Sequence, residues 1–348
     1  MTGRQDGARG DTALVTGAAG FIGARLVAAL AGSGRRVVAV DRVPWDAAER
    51  LHPLAGRLAG HYHQVDLRDT AALGELVAGS RWVFHLAANT ENRSWAGSAR
   101  ADLETTVGGT VSLVEACAHH PPEVVVMTSS QLVYGDQPNL PEQEEKRVPR
   151  PTTRFGAGKA AAEAFLSAGA AEVGFTAIAA RLSNIIGPGM RRGIVYDFVT
   201  RLAEDPSGLE VLGDGRQTRS YLHVSDCVTA LTTLAGAGSG TGRGAAGNAG
   251  IATFDVCNTD VASAAEVARI ALSEHPSGGG EVRFAGGDRG WRGDVPTLRL
   301  TPQRLSELGW RPRLSSAEAV RAAVRELAAE LGGWNADGAR TGAASRPA

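Results

Sequence analysis

The chain has 348 residues, of which 36 are basic and 37 acidic, and a formal net charge of -1 at pH 7. This balance creates no overall field that attracts nucleic acid or an anionic membrane, so we expect a small-molecule partner. The three cysteines, Cys117, Cys227 and Cys257, form neither a CxxC pair nor a metal-ligand spacing. No segment resembles a signal peptide or a membrane span, which predicts a cytoplasmic protein without a metal site.

Short apolar runs alternate with helical patterns in the first half of the chain, which is typical of βαβ units. The pattern predicts strands at Thr12–Thr16, Val37–Val40, Tyr62–Val65, Trp82–Leu86, Glu123–Thr128 and Thr176–Ala180. It predicts helices at Phe21–Ala31, Thr70–Ala78, Thr105–Ala118 and Gly156–Ser167. This order indicates an α/β fold with a doubly wound parallel sheet.

The pattern becomes less regular after Arg181, where glycine-rich joints separate shorter elements. Such joints are typical of a smaller, insert-like second domain. The run Gly236 to Gly250 is rich in Gly, Ala and Ser and predicts a mobile surface loop. The tail after Trp334 is predicted to be disordered.

A glycine-rich turn follows the first predicted strand and leads directly into a helix. Gly17, Gly20 and Gly23 stand at the spacing GxxGxxG. In a dinucleotide site the first glycine permits a tight turn, the second lets the backbone approach a pyrophosphate, and the third allows close helix packing. The diphosphate is then expected at the helix N-terminus, beside Phe21 and Ile22.

An acidic residue ends the second predicted strand and bears on the choice of dinucleotide. Asp41 lies eighteen residues beyond Gly23, where a carboxylate accepts hydrogen bonds from ribose hydroxyls and repels a 2′-phosphate. NAD is therefore predicted over NADP, although the neighbouring Arg42 offers a guanidinium that can meet a phosphate. Further cofactor contacts are predicted at the ends of the third and fourth strands, at Asp66, Leu67, Leu86, Ala87 and Ala88. His85 is predicted to satisfy a hydrogen bond in the core.

Seven sequence segments together resemble the extended short-chain dehydrogenase/reductases, and within them the UDP-glucose and UDP-glucuronate 4-epimerases. They are TGAAGFIG at 16–23, HLAANTENR at 85–93, TSSQLVYG at 128–135, FGAGKAAAE at 155–163, RLSNIIGPG at 181–189, GDGRQTRSYLHVSD at 213–226 and RGWRGDVP at 289–296. The resemblance spans Thr12 to about Leu327. It implies a Rossmann-type NAD-binding domain of residues 1–183, also receiving roughly 222–258, and a substrate-binding domain of residues 184–221 and 259–332.

The resemblance implies that a UDP-sugar is oxidised at C4 to a 4-keto sugar and that hydride then returns to its other face. Ser130, with Ser129 beside it, is expected at the sugar O4, and Lys159 at the nicotinamide ribose. Lys159 is also expected to lower the pKa of the family's catalytic tyrosine, four residues earlier. That position holds Phe155, in FGAGK where the family writes Tyr-Gly-x-Ser-Lys.

Phenylalanine supplies no proton, so the sequence predicts binding with poor turnover. Either Phe155 is an engineered removal of one hydroxyl, which the retention of the other markers favours, or it is natural and another group carries the proton. In the second case, Ser130 acting through a water is the predicted base. A further departure is Thr106, where the family commonly has asparagine, so that a contact to the active-site strand is expected to be rebuilt.

A sugar diphosphate is expected to bind to arginines and amide donors. By resemblance these are Asn184, Arg219 and Arg289, with Arg292 as the alternative to Arg289. Arg192, or its neighbour Arg191, is predicted to pair with a C6 carboxylate of the sugar, which favours a uronic acid as substrate. In the alternative interpretation, both arginines are solvated on a flexible loop.

Gln131 and Leu132 stand where a 4,6-dehydratase carries Asp-Glu, which disfavours dehydration. A UDP-glucuronate decarboxylase and a non-catalytic protein that binds NAD or a nucleotide sugar remain as alternatives. The resemblance also implies a homodimer joined through the predicted helices Ala99 to Ala118 and Gly156 to Ser167.

Overall fold

The computed structural model describes residues 11–90, 99–137, 140, 142–240, 250–287 and 300–334. The backbone divides into two compact units. The first takes in the described residues within 1–135, 143–181 and 228–254, and the second those within 136–142, 182–227 and 255–348. The roles of two domains in holding cofactor and substrate stay predictions.

The strands of the described residues are β1 (Thr12–Thr16), β2 (Arg36–Asp41), β3 (Tyr62–Gln64), β4 (Trp82–His85), β5 (Val124–Ser130), β6 (Thr176–Leu182), β7 (Asn184–Ile186), β8 (Gly208–Val211), β9 (Thr218–Arg219), β10 (Tyr221–His223), β11 (Ile251–Val256), β12 (Ala262–Ser263) and β13 (Glu281–Phe284). A seven-stranded sheet has the order β11-β6-β5-β4-β1-β2-β3. The pairs β1–β2, β2–β3, β1–β4 and β4–β5 are parallel, which confirms the predicted α/β fold. The strand order reverses between β1 and β4, where open α/β sheets bind ligands beyond the strand ends.

The α-helices of the described residues are α1 (Phe21–Gly32), α2 (Ala55–Leu58), α3 (Thr70–Val77), α4 (Ala99–Ala101), α5 (Gly109–His119), α6 (Arg154–Val173), α7 (Ile194–Glu204), α8 (Val224–Gly240), α9 (Ala264–Glu274), α10 (Gln303–Glu307) and α11 (Ser316–Glu330). A π-helical segment, Asp102–Gly108, joins α4 to α5. Single 3₁₀ turns or short 3₁₀ helices lie at Trp45–Ala47, Glu49–Leu54, Gln131–Val133 and Glu144–Lys146.

The core of the first unit explains why its strands read as almost continuous apolar runs. Leu14 of β1, Val83 of β4 and Val125 of β5 are completely buried. They belong to a cluster that includes Leu113 of α5 and Leu166 of α6. A parallel sheet has helices against its faces, so successive side chains on the same strand are buried although they point in opposite directions.

Several predicted boundaries differ from the observed ones because capping decides where a helix begins and ends. The helix predicted at Gly156–Ser167 begins at Arg154, since the Thr153 hydroxyl accepts a hydrogen bond from Gly156 N–H, and ends only at Val173, where Gly174, whose φ is 95°, caps it. The helix predicted from Thr105 begins inside the π-helical segment. Strand β5 extends to Ser130, two residues beyond its predicted end.

The loop prediction for Gly236 to Gly250 is wrong for its first five residues, which complete α8. Glycine serves close packing there, because a Cβ on Gly238 would lie 3.0 Å from Val124 and 3.1 Å from Ile178. The Trp82 indole N–H also donates to Ser239 Oγ at 2.6 Å. Residues 241–249 and the predicted tail after Trp334 lie outside the described residues.

The second unit contains small sheets and helices. Strands β7 and β10 pair in parallel, as do β8 and β13, whereas β9 and β12 are antiparallel. Helices α7, α9 and α11 pack against one another. No helix among the described residues is long and apolar enough to cross a membrane. Within the same residues, His, Cys, Asp and Glu form no group of three suited to a metal ion.

Candidate active site

The glycine-rich turn lies at the carboxyl end of β1, beside the end of β4. Gly17 has a φ of 69°, and a Cβ on it would lie 2.7 Å from the backbone nitrogen of Ala87. A Cβ on Gly23 would lie 2.0 Å from the Gly17 carbonyl oxygen. Gly20 is the N-cap residue of α1, and as a glycine it has no side chain to bond to the first turn of the helix. Glycine is therefore required at Gly17 and Gly23 for the backbone itself, and this cradle at a helix N-terminus fits a dinucleotide diphosphate.

Asp41 ends β2 and points back towards this turn. Its Oδ2 accepts a hydrogen bond from Ala19 N–H at 2.9 Å, and its Oδ1 accepts one from Val43 N–H at 3.3 Å. The side chain is half-buried, whereas Arg42 is exposed. The carboxylate therefore lies beside the glycine cradle, where the predicted ribose contact requires it, and the residues present fit NAD.

The other predicted cofactor residues lie in different surroundings. Asp66 is exposed, and hydrogen bonds from the Arg68 side chain, followed by one from Arg68 N–H, lower its pKa to about 2. Leu67 is buried with its side chain against Gly109. The half-buried residues Leu86, Ala87 and Ala88 follow β4, and Phe21 and Ile22 are half-buried in the first turn of α1.

His85 confirms its interpretation as a core residue. It is buried, and its ring nitrogens lie 2.9 Å from Thr16 Oγ1 and 3.0 Å from Thr110 Oγ1. Burial, with a smaller effect from Lys159, lowers its pKa to about 3. A neutral imidazole held by two hydroxyls stabilises the sheet and does not exchange protons near neutral pH.

Strand β5 and helix α6 bring Ser130 and Phe155 together. Ser130 Oγ accepts a hydrogen bond from Leu132 N–H at 3.2 Å in the turn after the strand. That turn packs on the first turn of α6, where a Cβ on Gly156 would lie 2.3 Å from the Leu132 carbonyl oxygen. Ser130 and Phe155 are both half-buried. The glycine after Phe155 is thus what allows the serine turn and the helix start to approach.

Lys159 lies one turn after Phe155 on the same helix and is 4% exposed. Its Nζ donates to the Thr128 carbonyl oxygen at 2.6 Å, near the end of β5. Burial lowers its pKa to about 8, against the opposing effect of Glu163. The lysine is therefore not a solvated surface residue, and its ammonium lies at the strand end that carries Ser130.

Ser129 and Ser130 have different environments although they are adjacent. The Ser129 side chain is buried, and its hydroxyl donates to Glu163 rather than lying with Ser130. Successive side chains of a strand point to opposite faces, which explains the separation. The predicted substrate contact of Ser129 thus has a competing partner inside the protein.

The departures from the family pattern lie close to one another. Asp102, in the π-helical segment, forms a buried ion pair with Arg154 Nη1 at 2.8 Å and accepts from Asn89 Nδ2 at 2.8 Å. A Cβ on Gly158 would lie 3.6 Å from Asp102 Cβ. Thr106 Oγ1 accepts from Asn89 N–H at 3.1 Å, in the segment that follows β4, and the predicted contact to the active-site strand stays a prediction.

Sequence reasoning assigned no role to Asp102, Arg154, Glu163 or Arg181. Arg181 and Glu163 both stood within the quoted motifs, and Arg181 follows a run of apolar residues on β6. A charged side chain in such a run is rarely buried without a partner. That signal predicts a buried ion pair but does not identify the partner.

In the second unit, Asn184 on β7 and Arg219 on β9 are both half-buried. Asn184 pairs with Tyr221 between β7 and β10, and its side-chain amide donates to the Ser220 carbonyl at 3.2 Å. Arg219 Nη1 donates to the Thr218 carbonyl at 2.8 Å. Arg289 and its alternative Arg292 lie outside the described residues.

The loop that contains Arg191 and Arg192 is attached to the end of α11. Glu330 Oε2 accepts from Gly189 N–H at 2.6 Å, and Glu330 Oε1 forms an ion pair with Arg191 Nη2 at 2.6 Å. Arg192 is exposed. Arg191 is exposed as well, and its charge is balanced by Glu330.

Comparison with known proteins finds similarity over almost the whole chain. Residues 13–250 match the model of the "NAD dependent epimerase/dehydratase family". The chain is 30% identical over 318 residues to a UDP-glucose 4-epimerase of Mycolicibacterium smegmatis, covering 89% of this chain and 96% of that one. Among solved structures, a UDP-galactose 4-epimerase is 32% identical, with a TM-score of 0.77 and coverage of 92% of this chain and 99% of the other.

A second solved structure is MoeE5 in complex with UDP-glucuronic acid and NAD. It is 30% identical to the chain, with a TM-score of 0.74, and the match covers 90% of this chain and 97% of MoeE5.

Proposed function

We propose, from the premise that the chain belongs to the NAD dependent epimerase/dehydratase family, that it is a UDP-sugar 4-epimerase of UDP-glucuronate or of UDP-glucose and UDP-galactose. The family match confirms the resemblance to extended short-chain dehydrogenase/reductases and the predicted cofactor, NAD. The observation that carries the proposal is the placement of Ser130, Phe155 and Lys159 at one strand end, in the unit that holds the glycine cradle.

NAD, when bound, accepts hydride from the sugar C4 and returns it. Asp41 would hold the adenosine ribose, the cradle of Gly17, Gly20 and Gly23 the diphosphate, and the Lys159 ammonium the nicotinamide ribose. Ser130 would hydrogen-bond O4 of the sugar. The proton of O4 has no acceptor in Phe155, so we expect the chain to bind substrate and to turn it over slowly.

The second-unit residues support a nucleotide sugar, and one of them favours a uronic acid. Asn184 and Arg219, with Arg289, are proposed to hold the diphosphate. Arg192, or its neighbour Arg191, which also pairs with Glu330, is proposed to meet a C6 carboxylate. We therefore favour UDP-glucuronate over UDP-glucose.

The chain departs from the family pattern at Gly158 and Thr106 as well as at Phe155, and this bears on the origin of the phenylalanine. Gly158 lies against Asp102, Asp102 pairs with Arg154, and Thr106 binds the backbone beyond β4. An isolated engineered change leaves its neighbours as the family has them, so these contacts favour a natural phenylalanine. Proton transfer through Ser130 and a water is the route we propose in that case.

A non-catalytic protein that binds NAD and a nucleotide sugar is the second candidate, favoured by Phe155 itself. A UDP-glucuronate decarboxylase shares the oxidation at C4 and is distinguished by its product. We also propose a cytoplasmic homodimer. Leu103 and Phe165, which are 60% and 50% exposed, lie on the helical stretches predicted to join the protomers.

The decisive experiment measures isomer exchange of UDP-glucuronate and UDP-glucose by the parent chain and by Phe155→Tyr. We expect Phe155→Tyr to raise the rate by on the order of 10²- to 10⁴-fold, because it supplies a general acid and base. Phe284→Tyr adds the same hydroxyl at an exposed position of β13 and is expected to change nothing.

Product analysis separates the candidates. A 4-epimer supports the proposal, and a pentose nucleotide with carbon dioxide supports the decarboxylase. Silence of Phe155→Tyr with both sugars, despite tight binding of NAD, favours the binding protein. If titration of the parent chain detects neither NAD nor a UDP-sugar, the proposal fails.

A further inference from the structure

A network of four polar side chains is buried behind the end of β5 and has no part in the chemistry proposed above. Arg181 donates from Nη2 and Nε to Glu163 Oε2 and Oε1 at 2.7 and 3.1 Å. The hydroxyl of Ser129 donates to the same Oε1. Arg181 Nη1 donates to Tyr134 Oη at 3.0 Å. The network thus connects β5, the turn after it, α6 and β6.

Stability alone is a weak explanation for this network. The Arg181 and Glu163 side chains are 5% and 6% exposed, so both charges have lost most of their hydration. Replacing a buried ion pair by apolar side chains of similar volume is often neutral or stabilising. A satisfied network does, however, fix its members in one arrangement. The function of the network is therefore best inferred from the residues that it holds in place.

The network holds two successive turns of α6 against two successive residues of β5. Lys159 and Glu163 are four residues apart and lie on the same face of α6. Lys159 donates to the Thr128 carbonyl oxygen, and Glu163 accepts from the hydroxyl of Ser129, the next residue. Ser130 follows immediately. A shift of Glu163 would therefore alter the relation between Lys159 and Ser130.

Glu163 also bears on the charge of Lys159. Burial lowers the pKa of Lys159, and Glu163 opposes this effect through space, since no ion pair joins them among the described residues. His85 on β4 interacts with the ammonium and is neutral, and the Glu163 carboxylate is itself paired with Arg181 on β6. Asp102 is likewise occupied by an arginine.

Lys159 is unusual among the basic residues of the chain because it is a lysine and is buried. Only Lys146 and Lys159 among the 36 basic residues are lysines, and the rest are arginines. Lys146 is exposed, where a lysine and an arginine are nearly interchangeable. An arginine stays charged when buried and is larger and planar, whereas a lysine is compact and its pKa responds to its surroundings. The protonation state of the lysine at position 159 therefore depends on its neighbours.

We propose that Glu163 is a positioning residue for Lys159: its carboxylate, fixed by Arg181 and Ser129, keeps the lysine charged and directed at the end of β5. The step from this arrangement to NAD binding rests on the proposed function. The arrangement itself does not, because it concerns residues of the chain alone.

The test uses the full chain labelled with ¹³C and ¹⁵N in lysine, which gives signals from two residues. Lys146 serves as the exposed internal reference. We expect Lys159 to titrate in the parent with a midpoint at about 8. In Glu163→Gln the midpoint falls by about one pH unit, because the opposing negative charge is lost. Glu163→Asp keeps the charge and is expected to recover at least half of that shift.

Tyr134→Phe is the matched control, since it removes a hydroxyl from Arg181 but none from Glu163. We expect it to leave the midpoint of Lys159 unchanged. An unchanged midpoint in folded Glu163→Gln, or an equal shift in Tyr134→Phe, overturns the proposal. If Glu163→Gln does not fold, Ser129→Ala decides: a lower midpoint supports the proposal, because the released carboxylate turns towards Arg181, and an unchanged one overturns it.

The pH dependence of NAD affinity is measured in parallel. If the charged lysine binds the ribose, affinity is full below the Lys159 midpoint and falls as the pH rises through it. Glu163→Gln is then expected to lose affinity at a lower pH than the parent. Absence of NAD binding by the parent contradicts the proposed function, while the lysine titration still decides the role of Glu163.

Discussion

The glycine cradle and the start of α6 both belong to the first unit, yet they differ in how far they keep the family pattern. At the cradle, Gly17 and Gly23 are fixed by contacts of less than 3 Å between backbone atoms and any added Cβ. Around Phe155, the other residues that depart from the family pattern, Gly158 and Thr106, lie beside side-chain contacts such as the ion pair of Asp102 and Arg154. Backbone geometry tolerates no replacement, whereas a side-chain network can be rebuilt if every member finds a partner.

The largest expected effect tests the rebuilt region. Arg154→Met leaves the Asp102 carboxylate buried without its cation and is expected to lower the free energy of unfolding by about 3–5 kcal/mol. Denaturant unfolding measures this. Arg100→Met, which removes an exposed i,i+4 ion pair from the neighbouring helical turn, is the control and should cost less than about 0.5 kcal/mol. Equal free energies of unfolding for the two variants would mean that the buried ion pair does not stabilise the fold.

The cradle is tested by Gly23→Ala. The added Cβ would lie 2.0 Å from a backbone oxygen, so the turn must move, and we expect NAD affinity to fall on the order of 100-fold. Gly74→Ala is the matched control, because this helical glycine has no neighbour within 4 Å of an added Cβ. Calorimetric titration with NAD compares the two. An unaltered NAD affinity of Gly23→Ala would mean that the glycine cradle does not bind NAD.

A smaller effect is expected for Asp41→Asn. The change keeps the shape but removes the charge, and losing a charge-assisted hydrogen bond to ribose weakens NAD binding by about 10- to 100-fold. Asp46→Asn, in the exposed turn that follows β2, is the control. Titration with NAD and NADP measures both variants, and unchanged NAD affinity in Asp41→Asn contradicts the predicted ribose contact.

The smallest effect concerns the substrate. Arg192→Gln is expected to weaken binding of UDP-glucuronate about tenfold and to leave UDP-glucose unaffected, because only the uronic acid carries a C6 carboxylate. The exposed Arg216 offers a control variant, Arg216→Gln. Equal losses for both sugars in Arg192→Gln would assign this arginine to the diphosphate instead.

Local signals predicted much of the first unit. The strand before the glycines and the helix after them were both predicted from the sequence. His85 was correctly interpreted as a core residue. The run after Gly236 was wrong for its first five residues because composition does not reveal a helix that packs closely on Val124 and Ile178. The start of α6 was missed because Thr153 caps it from outside the apolar pattern.

By itself, the sequence determined the parallel sheet, the glycine cradle and the acid that ends β2, since each depends on residue types at fixed local spacing. Only the tertiary structure decided that Ser129 turns away to Glu163, that Glu330 neutralises Arg191 and that Asp102 pairs with Arg154. These partners are between 34 and 139 residues apart along the chain. Burial makes each charge find a partner, but the packing of the elements determines which one it finds.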